Sequence, residues 1–357
     1  MSRAPKLRRR LFITRVSCPG RMIASGTGRR HIEFAPCSRS RHPEVSLSAD
    51  QIAPPAFRLP HINRGTHVTA LLTSLLERAI GDLSSDMPLP ECSHDARKKL
   101  KRARATLRVV RDIAPGFYAT ENARYRDVGR MIAPLRESGA AFEAIDAVEA
   151  DYADQLNANP FASVRAGLSE DVDAEQAAGP VAMQLDTAIA NTHLALAALW
   201  QLEWPDNGED EAAALARAAR RLIRSTRKAL NAARRKPGAE TLHELRKALK
   251  YLWLGGKLMR DVWPPTLRPA GKTLRGMIDL LGAIHDIDEL LARLAEAEPG
   301  TPEAREALCA LLHARRARLE TELAGIRDAL ELPKPSAVEA GVRDAARSAA
   351  EETQAAE

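Results

Sequence analysis

The chain has 357 residues, of which 45% are hydrophobic and 28% charged, so it is long enough for two ordinary domains with a substantial core. Aromatic residues make up only 4%, which disfavours a sheet protein, and the abundance of Ala, Leu, Arg and Glu favours helices. No run of about 18 apolar residues occurs, so the sequence predicts no membrane-spanning helix. The four cysteines form no Cys-x-x-Cys pair, which is typical of free thiols in a reducing compartment.

The first 60 residues differ in composition from the rest of the chain. They carry 12 Lys and Arg against three Asp and Glu, a net charge of +9, so the remainder is at −3 although the whole chain is at +6. They are rich in Arg, Ser, Pro and Gly and lack hydrophobic periodicity, which predicts a disordered basic tail over 1–60. Such a tail either contacts a polyanion or results from a start codon chosen upstream of the true one.

From about Thr66 onward the apolar residues follow helical spacing. Breaks that contain Pro or Gly separate the helical segments, as in "APGF", "NANP", "KPGAE" and "VWPPT". Residues 332–357 are rich in Ala and Glu, and we expect them to form a C-terminal tail, helical or not. The predicted helices cover residues 67–81, 93–113, 120–135, 138–156, 181–203, 211–235, 240–260, 266–281, 284–297 and 302–331.

Two segments repeat one pattern, a histidine followed by closely spaced cations. Residues 94–115 are "HDARKKLKRARATLRVVRDIAP" and residues 243–264 are "HELRKALKYLWLGGKLMRDVWP". They align without a gap at an offset of 149 residues, with 8 identities in 22 positions, and the same offset places Arg126 on Arg275. The chain therefore contains two copies of one structural repeat, and the boundary between them lies near 203–210.

Each repeated segment carries an apolar stripe and a cationic stripe on one predicted helix. The apolar positions, spaced 4, 3, 4 and 3, are Ala96, Leu100, Ala103, Leu107 and Val110, and in the second copy Leu245, Leu249, Leu252, Gly256 and Met259. The cationic positions are His94, Arg97, Lys101, Arg104, Arg108 and Arg111, and in the second copy His243, Arg246, Lys250, Lys257 and Arg260. The cationic stripe lies beside the apolar one, and acids that could neutralise it are scarce, so we expect it to face an external anion.

A third predicted helix carries a similar row of arginines. In "ARAARRLIRSTRKALNAARRK" these are Arg217, Arg220, Arg224, Arg227 and Arg234. A row with one charge about every 5 Å of helix axis suits a chain of phosphates better than one small ligand. The alternative is a charged face that only contacts water, which three matched stripes disfavour.

The segment "IHDIDEL" raises the alternative of a metal-dependent phosphohydrolase, since His and Asp are ligands of divalent ions. The repeat offset, however, places Arg136 on His285, and arginine does not ligate metal. A histidine that an arginine can replace is more easily explained as a cation that faces an anion. The histidines of the repeat could also be structural, at a helix start or at the edge of the core.

Four segments together resemble the CHAD family, the conserved-histidine α-helical domain. They are "HDARKKLKRARATLR", "LIRSTRKAL", "LHELRKALKYLW" and "LGAIHDIDELLARL", in the order and spacing of that family, and the resemblance covers about 65–330. It implies an all-α fold of two antiparallel four-helix bundles, over 61–203 and 204–331, related by a pseudo-two-fold axis. No E-x-E-x-K strand of a triphosphate-tunnel (CYTH) domain occurs, so we expect the module to stand alone.

The resemblance also implies binding of inorganic polyphosphate without catalysis, by basic side chains on the helix faces and in the opening between the bundles. The contacts that it implies are His94, Arg97, Lys98, Lys101, Arg104, Arg108, Arg220, Arg224, Arg227, His243, Arg246, Lys247, Lys250 and His285. We expect no metal, no cofactor and no membrane partner. We expect a cytoplasmic location, including association with polyphosphate granules.

Two alternatives stay open at this point. One is the metal-dependent phosphohydrolase, acting on polyphosphate or nucleotides. The other is a basic helical scaffold that binds nucleic acid or protein, although the cationic stripes contain few aromatic residues on which bases could stack. Trp253 is the exception, and packing in the core would explain it equally well.

Overall fold

The computed structural model describes residues 54–60, 63–133, 137–178 and 181–354, and within these ranges all regular elements are helices. The described residues form eleven α-helices: α1 (Arg64–Leu83), α2 (Leu89–Val109), α3 (Pro115–Met131), α4 (Glu137–Asp151), α5 (Ala162–Ala178), α6 (Val181–Ala197), α7 (Gly208–Arg235), α8 (Ala239–Leu258), α9 (Gly271–Ala297), α10 (Pro302–Ala329) and α11 (Pro335–Gln354). The predicted all-α class is confirmed. Among the described residues, no helix combines the length and the apolar character that crossing a membrane requires.

Most of the predicted basic tail lies outside the described residues, but its last part, 54–60, is included. Leu59 is completely buried, and its backbone N–H donates a hydrogen bond of 2.6 Å to the carbonyl oxygen of Leu258 at the end of α8. Residues just before α1 therefore pack on the helical unit.

The apolar stripes of the two repeated segments contribute to the hydrophobic core. On α2, Ala96, Ala103 and Leu107 have no exposed surface, and on α8 the same is true of Leu245 and Leu249. Burial of a large apolar side chain contributes about 1.5–3 kcal/mol, so these stripes are the main reason that both helices pack inward.

The helix boundaries differ from the predicted ones in the second half of the chain. The segments 266–281 and 284–297 were expected to be separate helices, but 271–297 is one continuous helix, α9. Gly282 in its middle does not break it, because that glycine is buried against α8 and the packing of both faces outweighs a cost of about 1 kcal/mol.

Two helices lie in segments where no helix, or only a tail, was expected. Helix α5 was not predicted, and its first turns bury Val164 and Leu168. Helix α11 lies within the segment expected to be a C-terminal tail, and it buries Val338 and Val342 against α7. Apolar residues four apart on an Ala-rich helix are enough for docking once a neighbouring apolar face exists.

The helices pack in two groups. In the first, α1 contacts α2 and α6, and α3 also contacts α2 and α6, so these four helices close a ring. In the second, α7 packs on α8 and α11, and α9 packs on α8 and α10. Helices α4 and α5 precede the predicted dividing point, yet α4 packs on α9 and α10, and α5 packs on α4 and α10.

The repeat offset of 149 residues relates helices in the same order along the chain. It shifts α1 to 213–232, inside α7, and α2 to 238–258, which overlaps α8. The remaining helices follow the same shift: α3 and α4 both fall on α9, α5 on α10 and α6 on α11. The equivalent helices α2 and α8 contact each other.

Candidate functional site

A cavity of about 610 Å³ lies where α2 and α8 meet, with α4, α9 and α10 completing its walls. Its lining includes His94 and seven cations: Lys98, Lys101, Arg102, Arg246, Lys250, Arg275 and Arg315. The carboxylates of the lining are Glu143, Asp279 and Asp286. Seven cations against three carboxylates leave an excess of four positive charges, which favours an anionic ligand.

The carboxylates hold some of these cations in place. Arg275 Nε lies 2.8 Å from Asp279 Oδ2, one turn further along α9, and Arg246 Nη2 lies 4.0 Å from Asp286 Oδ1. Arg315 of α10 pairs with Asp151 and also donates a 3.0 Å hydrogen bond to the carbonyl oxygen of Ala147. Its pKa is lowered, chiefly by burial and then by the neighbouring Arg318. The walls are thus partly ordered before any ligand binds.

Gly282 makes room for Arg246. A Cβ atom at Gly282 would lie 3.4 Å from Arg246 Nη2, closer than most side-chain contacts, so a larger residue would push the guanidinium aside. The sequence shows glycine at this position, but only the packing of α8 on α9 explains it.

Trp253 lies at the edge of the cavity with cations on its ring. Lys257 Nζ is 4.4 Å and Arg275 Cζ is 5.4 Å from the ring centroid. Both distances lie in the range of cation–π attraction. The ring is therefore already engaged with cations, which argues against a role as a stacking platform for bases.

Two histidines of the second half, His243 of α8 and His285 of α9, contact each other near the start of α8. The ring centroids of His243 and His285 are 5.2 Å apart, and His285 Nε2 lies 3.0 Å from Glu289 Oε1. His243 is exposed, and its pKa is lowered, mainly by the partial burial of its ring and then by repulsion from His285 and Lys247. Neither histidine belongs to the cavity lining, whereas the half-buried His94 does.

Three predicted contacts on α2 lie outside the cavity lining. Arg97 donates a hydrogen bond to the carbonyl oxygen of Gly129 on α3, and Arg104 Nε lies 3.3 Å from Oδ1 of Asn122, which is also on α3. The guanidinium carbon of Arg108 lies 3.8 Å from the centroid of the Tyr251 ring on α8. These side chains face α3 and the far side of the contact between α2 and α8.

The arginines of α7 point away from the cavity. Arg220 Nη1 lies 2.6 Å from Glu339 Oε2 on α11, and Arg227 Nη1 donates a 2.5 Å hydrogen bond to the carbonyl oxygen of Leu332. Arg224 is exposed. The α7 row and the α2 and α8 stripes therefore do not meet at one surface, contrary to what their similar spacing indicates.

The structure brings five of the predicted contacts into the cavity: His94, Lys98, Lys101, Arg246 and Lys250. Lys247 is exposed and lies 2.7 Å from Glu244, outside the lining. Sequence reasoning missed Arg102, Arg275 and Arg315. The repeat match to Arg126 was a signal for Arg275, whereas nothing in the sequence singles out Arg315.

The "IHDIDEL" segment does not gather further metal ligands among the described residues. His285 pairs with Glu289, and Asp288 Oδ1 lies 2.6 Å from Arg316 Nε on α10. Within the described part of the chain, no group of three or more His, Cys, Asp and Glu side chains could hold a metal ion. Asp288 instead fixes α9 to α10.

Comparisons with known proteins agree with this architecture. No curated protein sequence matches the chain. The crystal structure of the CHAD domain from the plant Ricinus communis matches with a TM-score of 0.51 and 20% sequence identity, covering 75% of this chain and 93% of that one. The family model of the CHAD domain matches residues 69–295, which is more than half of the chain. The chain belongs to the CHAD domain family.

Proposed function

We propose that this protein binds inorganic polyphosphate, without catalysing a reaction on it, in the cavity between α2 and α8. The observation that carries the proposal is the excess of four positive charges in the lining, contributed by both copies of the repeat. Lys101 and Lys250 are equivalent positions of the two copies, and both line the cavity. The association of the CHAD domain with polyphosphate supports the same ligand.

A linear chain of phosphates suits this arrangement better than a single small anion. Lys98 and Lys101 lie one helical turn apart on α2, and Arg246 and Lys250 do so on α8, so charges follow one another about every 5 Å along each wall. Lys and Arg bind phosphate oxygens by charge-assisted hydrogen bonds. Specificity would then follow from the spacing of charges, since no base needs to be recognised.

The other predicted contacts divide into two sets under this proposal. Six of them lie on α2, α8 and α9 outside the cavity lining and would contact a chain that extends beyond it: Arg97, Arg104, Arg108, His243, Lys247 and His285. Arg220 and Arg227 have partners on α11 or in the loop before it, so we assign them a structural role; Arg224 is exposed and can reach a passing chain. The proposal includes a cytoplasmic location and association with polyphosphate granules.

A titration of the full chain with long-chain polyphosphate at about 50 and 200 mM salt tests the proposal. Engagement of several phosphates should give a steep negative slope of log K against log salt. Duplex DNA at the same phosphate concentration should compete weakly. A slope near zero, or stronger binding of DNA, would contradict the proposal, and phosphate release in the presence of Mg²⁺ or Mn²⁺ would support the hydrolase instead.

A further inference from the structure

Two clusters of side chains lie on the two sides of the contact between α2 and α8. The repeat relates their positions, but their residues differ. The offset of 149 residues relates each member of one cluster to a member of the other. The tryptophan cluster, at the cavity, consists of Trp253, Lys257 and Arg275, and the arginine cluster, on the other side, consists of Arg104, Arg108 and Arg126.

The cations of the tryptophan cluster have partners inside the protein. Lys257 and Arg275 both lie on the indole ring of Trp253, and Arg275 also pairs with Asp279 at 2.8 Å. Their charges are therefore partly compensated before a ligand arrives.

The arginine cluster has an arginine where the other cluster has its indole ring. Arg104 and Arg108 are half-buried, and Arg104 Nε lies 3.3 Å from the oxygen of the neutral Asn122 amide. Of the three arginines, Arg126 has a carboxylate partner, Asp127, at 2.9 Å. Three positive charges thus share one side of the α2–α8 contact with little compensation.

Arg108 provides the clearest geometric argument for an anion at this cluster. Its guanidinium carbon lies 3.8 Å from the Tyr251 ring centroid, so the face of the group is stacked and its N–H edge is left for hydrogen bonds. Its Nε atom is buried, and among the described residues it has no hydrogen-bond partner. A buried donor without a partner is unfavourable, and an anion that accepts from it would remove that cost.

The electrostatics of Arg104 agree with this geometry. Burial is the main cause that lowers the pKa of Arg104, and repulsion from Arg108 and Arg126 lowers it further, while Tyr251 and Tyr118 act in the opposite direction. An arginine still stays charged at neutral pH, so the mutual repulsion persists until an anion binds.

We propose that the arginine cluster is a second phosphate site, distinct from the cavity, which binds a compact diphosphate group through the N–H edges of Arg104 and Arg108. Planar guanidinium groups bind phosphate oxygens in pairs, which a point-like ammonium group cannot do. The ligand is the end of a polyphosphate chain, whose terminal phosphate carries more charge than an internal one. This identification of the ligand rests on the proposed function, whereas the site itself can be tested with free pyrophosphate.

The test is a calorimetric titration of the full chain with inorganic pyrophosphate. The double variant Arg104→Gln with Arg108→Gln should bind pyrophosphate at least about tenfold more weakly than the parent chain. The matched control, Lys228→Gln with Arg235→Gln, removes the same charge at exposed positions outside the cavity and outside the arginine cluster, and should stay within about twofold. Arg126 is exposed and lies away from Tyr251. Arg126→Gln should weaken pyrophosphate binding by about threefold or more. This single variant tests the site if the double variant unfolds.

Any of three results would contradict the proposed site. Both double variants could weaken pyrophosphate binding equally, neither could weaken it, or pyrophosphate could fail to bind the parent chain. Competition identifies the source of the diphosphate group. Polyphosphate with free ends should displace pyrophosphate, and polyphosphate with ends blocked as phosphoramidates should not. If neither displaces it, the chain-end assignment is wrong. If long-chain polyphosphate did not bind at all, that result would instead contradict the proposed function.

Discussion

The imidazole rings of His243 and His285 face each other across the interface of α8 and α9, with centroids 5.2 Å apart. His285 also pairs with Glu289, and Lys247, Glu244 and Arg246 lie around His243. The pair therefore couples the protonation of His243 to the cations beside the cavity.

This geometry predicts the pH dependence of stability. Because burial, His285 and Lys247 lower the pKa of His243, the unfolded chain takes up its proton at a higher pH than the folded chain. The contribution of His243 to the free energy of unfolding is complete above its ordinary pKa of about 6.5 and is lost as the pH falls from there through the lowered folded pKa. Denaturant unfolding between about pH 7.5 and 5.5 should show a smaller loss for His243→Gln than for the parent chain.

A bound polyanion should reverse the direction of this effect. Phosphates favour the protonated imidazole, so polyphosphate affinity should rise as the pH falls through the same range. The rise should be smaller in His243→Gln. If polyphosphate affinity had the same pH profile in the parent chain and in His243→Gln, the protonation of His243 would not be coupled to ligand binding.

The cavity predicts which cations carry affinity. The triple variant Lys101→Ala, Arg246→Ala and Lys250→Ala removes three charge-assisted contacts from the lining, so affinity for long-chain polyphosphate should fall at least about a hundredfold at moderate salt. The matched control changes the exposed Lys228, Arg235 and Lys334 to Ala and should lower affinity far less. Equal losses in a filter-binding or calorimetric assay would mean that the protein acts as a diffuse cation.

The contacts between α7 and the C-terminal segment predict an effect on stability. Arg227 donates to the carbonyl oxygens of Leu332 and Pro333, so Arg227→Ala should lower the free energy of unfolding by about 1–3 kcal/mol. Arg224→Ala, one turn away at an exposed position, should change it by less than about 0.5 kcal/mol. Thermal or denaturant unfolding distinguishes the two, and a loss of affinity without a loss of stability in Arg227→Ala would restore this arginine as a ligand contact.

The close approach at α9 predicts a test of cavity shape. Gly282→Ala would place a Cβ atom 3.4 Å from Arg246 Nη2, so we expect polyphosphate affinity to fall by several-fold because the guanidinium must move. Gly276→Ala on the same helix meets no atom within 4 Å and should stabilise the protein by about 0.5–1 kcal/mol without changing affinity. Unchanged affinity in Gly282→Ala would show that the position of Arg246 is not critical.

Binding should not depend on a divalent metal, because arginine and lysine neutralise phosphate charge by themselves. Treatment with EDTA should therefore leave the polyphosphate titration unchanged. Loss of binding on EDTA treatment, with recovery on addition of Mg²⁺ or Mn²⁺, would direct attention to the segment around His285 and Asp286.

The sequence by itself determined the helical class, the buried faces of α2 and α8, and the cations beside them. These features depend on residue spacing along one helix, which fixes the angular position of each side chain around the axis. The repeat offset aligned α2 with α8 and Lys101 with Lys250, and both lysines line the cavity.

Only the tertiary structure decided which neighbour each helix face meets. The arginine row of α7 has nearly the same spacing as the stripe of α2, yet Arg220 and Arg227 contact α11 and the loop before it. Arg315 enters the cavity because α10 packs on α4 and α9, more than 200 residues beyond the start of α2. Helix periodicity carries no information on such long-range packing, which depends on how all the apolar faces of the unit can be buried together.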